Sequence, residues 1–147
     1  MEAVSHDFGL RAQCLVFGRV THDGMKAHWM TAADGEITRF MNALPKLVAS
    51  RTITCSDWNS MRVTADIVGE IVKLRAAPGK DVFIFGSAEL VDSLLKANQI
   101  DEMILGVVPA RLGAGTPFFK EGGERRKMEL LENRALKNGT MILRYGV

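Results

Sequence analysis

Apolar positions fall along this chain in two alternating rhythms. Short unbroken apolar runs stand at residues 14–17, 46–50 ("KLVAS"), 81–85 ("DVFIF") and 102–109 ("EMILGVVP"). Between them the apolar residues recur every three or four positions. Met25 and Trp29 are spaced i, i+4, and Ile37, Phe40, Met41 and Leu44 form one stripe. Ile67, Val68, Ile71, Val72 and Leu74 form a second stripe, and Leu90, Val91, Leu94 and Leu95 a third. Runs predict strands covered on both faces, and stripes predict helices. The first helix is expected from about Asp23. Pro45 ends the second, Asp66 has the chemistry of an N-cap for the third, and Pro78-Gly79 stops that one. A further short strand is expected near 61–64, and residues 1–12 have a weak helical pattern. At the C-terminus, two apolar-polar stretches at 127–136 and 140–147 flank Lys137-Asn138-Gly139. Asn-Gly at such a junction predicts a β-hairpin. Strands alternating with helices, then closed by antiparallel strands, make an α/β fold. Its sheet is mostly parallel with an antiparallel edge.

Composition narrows the function more than the fold. The 147 residues suit one domain, 1–147, able to bury roughly 68–70% of the unfolded surface. A net charge of +2 and a longest basic run of Arg125-Arg126-Lys127, set among glutamates, point away from nucleic acid. No stretch has the length of a membrane span, and the N-terminus lacks the order of a signal peptide. Cys14 and Cys55 have no metal-site spacing, and two free thiols suit a reducing cytoplasm. With no paired histidine motif, no metal is expected.

Three apolar strands end alike, in "LVFGRVT", "LVASRT" and "FIFGSAEL". In an open α/β sheet, ligands bind beyond the carboxyl ends of the strands. Glycine there admits a ligand close to the backbone, and a helix start favours phosphate. Gly18 and Gly86-Ser87 are placed for this, with hydroxyls on Thr21 and Ser87. Arg19 and Arg51 add the planar cations that hold phosphate. Ser50-Arg51 would suit a ribose 2′-phosphate, and no acidic residue at these ends favours a free ribose diol, so the pattern selects NADPH over NADH. One such strand end alone is weak, because glycine after a strand is common. The G-x-G-x-x-G fingerprint is absent, and "GAG" at 113–115 reads as a turn.

The ordered set "FGRVT…MKAHW", "MNALPKLVASRT", "DWNS", "LRAAPGKDVFIFGSAELVDSLL" and "IDEMILGVVPARLGAGTPFF" resembles the dihydrofolate reductase-like superfamily. Within it, the chain is similar to the branch of the reductase domain of the bifunctional riboflavin-biosynthesis deaminase–reductase. The resemblance runs from about Cys14 to the C-terminus. It implies an α/β/α sandwich around one mixed sheet and a cytoplasmic, NADPH-dependent reductase of a small heterocycle, pterin-like or an aminopyrimidine. The cofactor phosphates would meet Gly18, Arg19 and Thr21, and the 2′-phosphate Ser50 and Arg51. The turn Gly86-Ser87-Ala88-Glu89 would pass close to the pyrophosphate, with Leu90 packed behind it. Such proteins often form homodimers, and that expectation carries over.

The chain departs from the family in two places. The apolar strand that usually precedes the G-R-x-T turn has no counterpart among the 17 residues before Gly18. Three arrangements could fill its place: residues 1–8, closure of "DVFIF" on "EMILGVVP", or a segment from a partner chain. A non-catalytic binder of NADP or another phosphate ligand is therefore the alternative function. His22 stands where an aromatic is usual, and is expected to be a polar replacement on a helix face. Asp23, Asp101 and Glu102 are the carboxylates nearest the motifs, the last two at a strand start, and no catalytic acid is assigned.

Overall fold

The structure, a computed structural model, describes residues 11–59 and 61–147. The elements run β1 (Ala12–Gly18), α1 (Arg19–Trp29), α2 (Glu36–Ala43), β2 (Lys46–Ala49), β3 (Met61–Thr64), α3 (Ile67–Ala76) and β4 (Asp81–Ile84). Then follow α4 (Ala88–Lys96), β5 (Glu102–Val107), β6 (Glu129–Ala135) and β7 (Met141–Gly146). The helical pattern expected of residues 1–12 lies outside the described residues except at its end. There Arg11 is helical, as expected, and Ala12 already belongs to β1.

β1 to β4 form a parallel sheet in the order β3-β2-β1-β4. Its central strand alternates between two apolar layers, which is how a continuous apolar run is satisfied. Cys14 and Val16 pack with Leu47, Ile71, Leu90 and Leu94, beneath α3 and α4. Leu15 and Phe17 pack with Met41 and Trp58, beneath α1 and α2. Val82 and Ile84 of β4 join the first layer, Phe83 and Phe85 the second, so "DVFIF" is covered on both faces as its pattern required. The result is helices on both sides of a sheet.

Local signals are met at the expected positions. Asp66 caps α3, its carboxylate accepting from Gly69 N at 3.0 Å. In the C-terminal turn Gly139 has φ 84°, a left-handed value suited to glycine, and β6 and β7 pair antiparallel.

Two features differ from the reading of the pattern. α1 begins at Arg19 and not near Asp23, because Gly18 itself serves as the N-cap and the helix follows the strand without a loop. The strands also divide into two sheets: β5, β7 and β6 form a separate antiparallel sheet, and among the described residues β4 and β5 share no ladder. Closure of "DVFIF" on "EMILGVVP" is thereby ruled out. The arrangement using residues 1–8 lies outside the described residues.

Candidate functional site

Parallel pairing sets the carboxyl ends of β1 to β4 along one edge. The chain leaves β1 for β2 and β3 on one side, then returns to place β4 on the other. This reversal makes the gap between β1 and β4 a topological switch point, where an α/β sheet opens a crevice for ligands. Two of the sequence-selected turns meet there. Gly18 N donates to Gly86 O at 2.8 Å, and Phe85 N donates to Val16 O at 3.0 Å. A Cβ on Gly18 would stand 3.0 Å from Ser87 Oγ and 3.2 Å from Ser87 N, closer than the neighbours could accept without moving. A Cβ on Gly86 would meet Thr21 Oγ1 at 3.5 Å. Gly86 has φ 93°, and the Gly86–Ser87 peptide is cis. Gly18, Thr21, Gly86 and Ser87 therefore form one backbone-lined cradle at the mouth of the switch point.

α1 and α4 both start at this cradle, and neither Gly18 nor Ser87 caps its helix with a side chain. The first N–H groups of both helices are thus not taken by a cap. Ala88 opens α4, Glu89 is exposed and pairs with Lys120 at 3.6 Å, and Leu90 is buried behind the turn.

The third turn lies alongside. Gly18 is registered opposite Ala49, so Ser50 and Arg51 leave β2 beside the point where Arg19 leaves β1. Ser50 Oγ accepts from Thr52 N at 3.1 Å and Ile53 N at 3.2 Å, which folds the chain sharply after the strand. The two arginines differ. Arg19 is exposed and holds Asp23 at 3.0 Å, one helical turn on. Arg51 is exposed and has no hydrogen-bonding or ion-pair partner among the described residues.

Three residues near the site were not singled out by pattern, or were read differently. His22 is 2% exposed, not set on an outer helix face: Nδ1 lies 2.8 Å from Asp23 Oδ1 and Nε2 3.0 Å from Ser56 Oγ. The loop 50–59 folds back over α1 and buries it. Trp58 is buried under the same loop, its indole N–H donating to Asn42 Oδ1 at 2.7 Å and its ring 5.6 Å from Phe17. Lys46, the first residue of an otherwise apolar strand, is 2% exposed. Its ammonium donates to the carbonyls of Asn42, Leu44 and Asn59 at 2.8–3.1 Å and stands 4.8 Å over the Trp58 ring. Burial lowers its pKa to about 8. A lone lysine at a strand start carries no sequence signal for such burial. Asp57 pairs with Lys26, which holds the carboxyl below the usual range. Asp101 holds Arg75 and Glu102 lies 3.5 Å from Arg144, so both are engaged away from the cradle.

The profile of the RibD C-terminal domain family matches residues 6–142. The chain belongs to this family. The assignment agrees with the motif order of its strand ends. Bacillus subtilis (strain 168) YyaP is 28% identical over 110 residues, 75% of this chain and 58% of that protein. The chain thus spans under two thirds of this relative. Among solved structures, a Shewanella sp. PV-4 protein proposed to act in riboflavin biosynthesis matches with a TM-score of 0.77 at 22% identity, over 95% of this chain and 76% of that one. A pyrimidine reductase-like protein of Corynebacterium diphtheriae matches with a TM-score of 0.66 at 12% identity, over 99% and 79%. These likenesses establish the dihydrofolate reductase-like α/β fold. Among the described residues no helix is long and apolar enough to cross a membrane.

Proposed function

We propose that this RibD C-terminal-type domain binds NADPH across the β1/β4 switch point and the β2 turn, and reduces a small heterocyclic substrate, pterin-like or a ribosylaminopyrimidine phosphate. The observation that carries the reading is the cradle where Gly18 meets Gly86 and Ser87. It lies beside an arginine that no described residue engages. Those features fit a dinucleotide phosphate. Gly18, Arg19 and Thr21 with Gly86, Ser87, Ala88 and Glu89 would hold the pyrophosphate region, with Leu90 packed behind. Ser50 and Arg51 would hold the 2′-phosphate. NADPH, when bound, supplies a hydride. The protein's part is to fix the two turns and to give charge and N–H donors where the phosphates lie. Similarity to a pyrimidine reductase-like protein supports the substrate class.

The test is NADPH oxidation in the presence of a panel of pterins and aminopyrimidines. The proposal expects substrate-dependent oxidation that Gly86→Trp abolishes by filling the cradle. Tight NADPH binding with no turnover on any panel member favours a second reading, a non-catalytic binder of NADP or another phosphate ligand. Among the described residues β4, whose end leads into Gly86, shares no ladder with β5, and this supports that reading. We extend the proposal to a homodimer, supported by the exposed Val107, Leu130 and Leu131 on the antiparallel sheet. Light scattering would give twice the 16.2 kDa chain mass.

A further inference from the structure

The turn bearing Arg19 is joined to the middle of the loop 50–59, the loop that starts with Ser50-Arg51, by a continuous chain of hydrogen bonds. Arg19 Nη1 donates to Asp23 Oδ2 at 3.0 Å, and Asp23 Oδ1 faces His22 Nδ1 at 2.8 Å. His22 Nε2 faces Ser56 Oγ at 3.0 Å, and Trp58 N donates to the same Oγ at 3.3 Å. With the imidazole neutral, the chemistry of the partners assigns the protons. An ionised carboxylate only accepts, so in the neutral ring Nδ1 carries the hydrogen and Nε2 is the acceptor. Ser56 must then donate its hydroxyl to Nε2, leaving its lone pairs for the Trp58 N–H. No member of the chain is left with conflicting roles.

Ser56 belongs to the loop 50–59, which begins with Ser50-Arg51. The loop is also held beside Arg51, where Ser50 N donates to Thr64 O at 2.9 Å, and at its far end by the Lys26–Asp57 ion pair, the Trp58 indole bond to Asn42 and the Lys46 bond to Asn59 O. On the α1 side the buried contact is His22. We infer that His22 is a positioning residue: through Ser56 it fixes the loop bearing Arg51 against the turn bearing Arg19, so that the two cations are held in register for one doubly phosphorylated ligand. The inference rests on the NADPH reading above for its ligand, while the clasp itself is a property of the unliganded chain. The order Asp23, His22, Ser56 is also that of an acyl-transfer triad. Here, however, the Trp58 N–H bonds the serine oxygen itself, tying that hydroxyl into the loop's own turn.

The test uses His22→Phe, which keeps a ring in the cavity beside Trp58, and His22→Gln, whose amide can bond Ser56. Two quantities are read: backbone hydrogen exchange over residues 51–58 without nucleotide, and affinity for NADPH and for NADH. The expected result for His22→Phe is exchange about tenfold faster in that segment alone. NADPH affinity should fall about tenfold, the scale of one charge-assisted contact, with NADH affinity unchanged. His22→Gln should restore both toward the native values. Unchanged exchange at 51–58 would overturn the clasp. An equal loss for both nucleotides, or no rescue by glutamine, would show His22 to be packing only and would equally overturn the inference. If the native chain binds neither nucleotide, the functional reading fails. The exchange measurement then decides the clasp by itself.

Discussion

Every residue of β1 except Gln13 is buried, whereas every residue of β6 except Arg134 is exposed. The two strands have the same length, but Gln13 is the one polar side chain of β1, whereas β6 has four, Glu129, Glu132, Asn133 and Arg134. Layering separates them further. β1 lies between two helical layers and two neighbouring strands, so each of its faces finds an apolar partner. β6 is the outer strand of a three-stranded antiparallel sheet, in which Met103 of β5 is the one strand residue that is buried. The lesson is that the parallel half is packed on both faces and the antiparallel half is not. All the sequence-selected glycines, hydroxyls and arginines leave that half, at one edge. The antiparallel half leaves Val107, Leu130 and Leu131 exposed.

Substitutions on either side of this contrast should differ in size. Phe17→Ala removes a wholly buried ring that sits 5.6 Å from Trp58 and 5.8 Å from Phe85, and should cost about 3–5 kcal/mol in urea unfolding. Lys46→Met comes next, at about 2–4 kcal/mol, since it removes a buried ammonium that donates to the carbonyls of Asn42, Leu44 and Asn59. Its pH dependence has a definite sign. The folded pKa of about 8 lies below the ordinary lysine value of 10.5, so between them the unfolded chain binds more protons. The penalty for burying the charge is full below pH 8 and is relieved as pH rises. Native protein should therefore gain stability relative to Lys46→Met from about pH 8 to 10, as parallel urea titrations would show. Arg51→Ala should weaken NADPH by roughly 1.5–3 kcal/mol and NADH by almost nothing, read by calorimetry. Leu131→Ala on β6, already 42% exposed, should cost less than about 1 kcal/mol. A loss there as large as at Phe17 would erase the contrast between the two halves.

Much of this architecture was legible in the chain itself. Unbroken apolar runs located β1, β2, β4 and β5, the 3.6-residue stripes located α2, α3 and α4, and Asn138-Gly139 located the hairpin turn. Those signals are local, so the tertiary fold had only to confirm them. The three strand ends were legible for the same reason, since a parallel order brings like ends to one edge. The start of α1 was hidden because a glycine N-cap looks like a loop residue in sequence. The surroundings of His22, Lys46 and Trp58 were hidden for a different reason. Each is buried by the irregular loop 50–59, whose path depends on contacts made 13 to 34 residues away. The separation of the two sheets likewise depends on which strands pair, which the composition of β4 and β5 does not encode.

The central proposal is that Arg51, which no described residue engages, serves with the glycine cradle as a site for a nucleotide bearing a 2′-phosphate. Calorimetric titration of the native chain with NADPH and then NADH, followed also through Trp29 and Trp58 fluorescence, tests it most directly. Micromolar NADPH binding with much weaker NADH, the difference vanishing in Arg51→Ala, is the predicted result. Equal affinity for both nucleotides, or none for either, would contradict it.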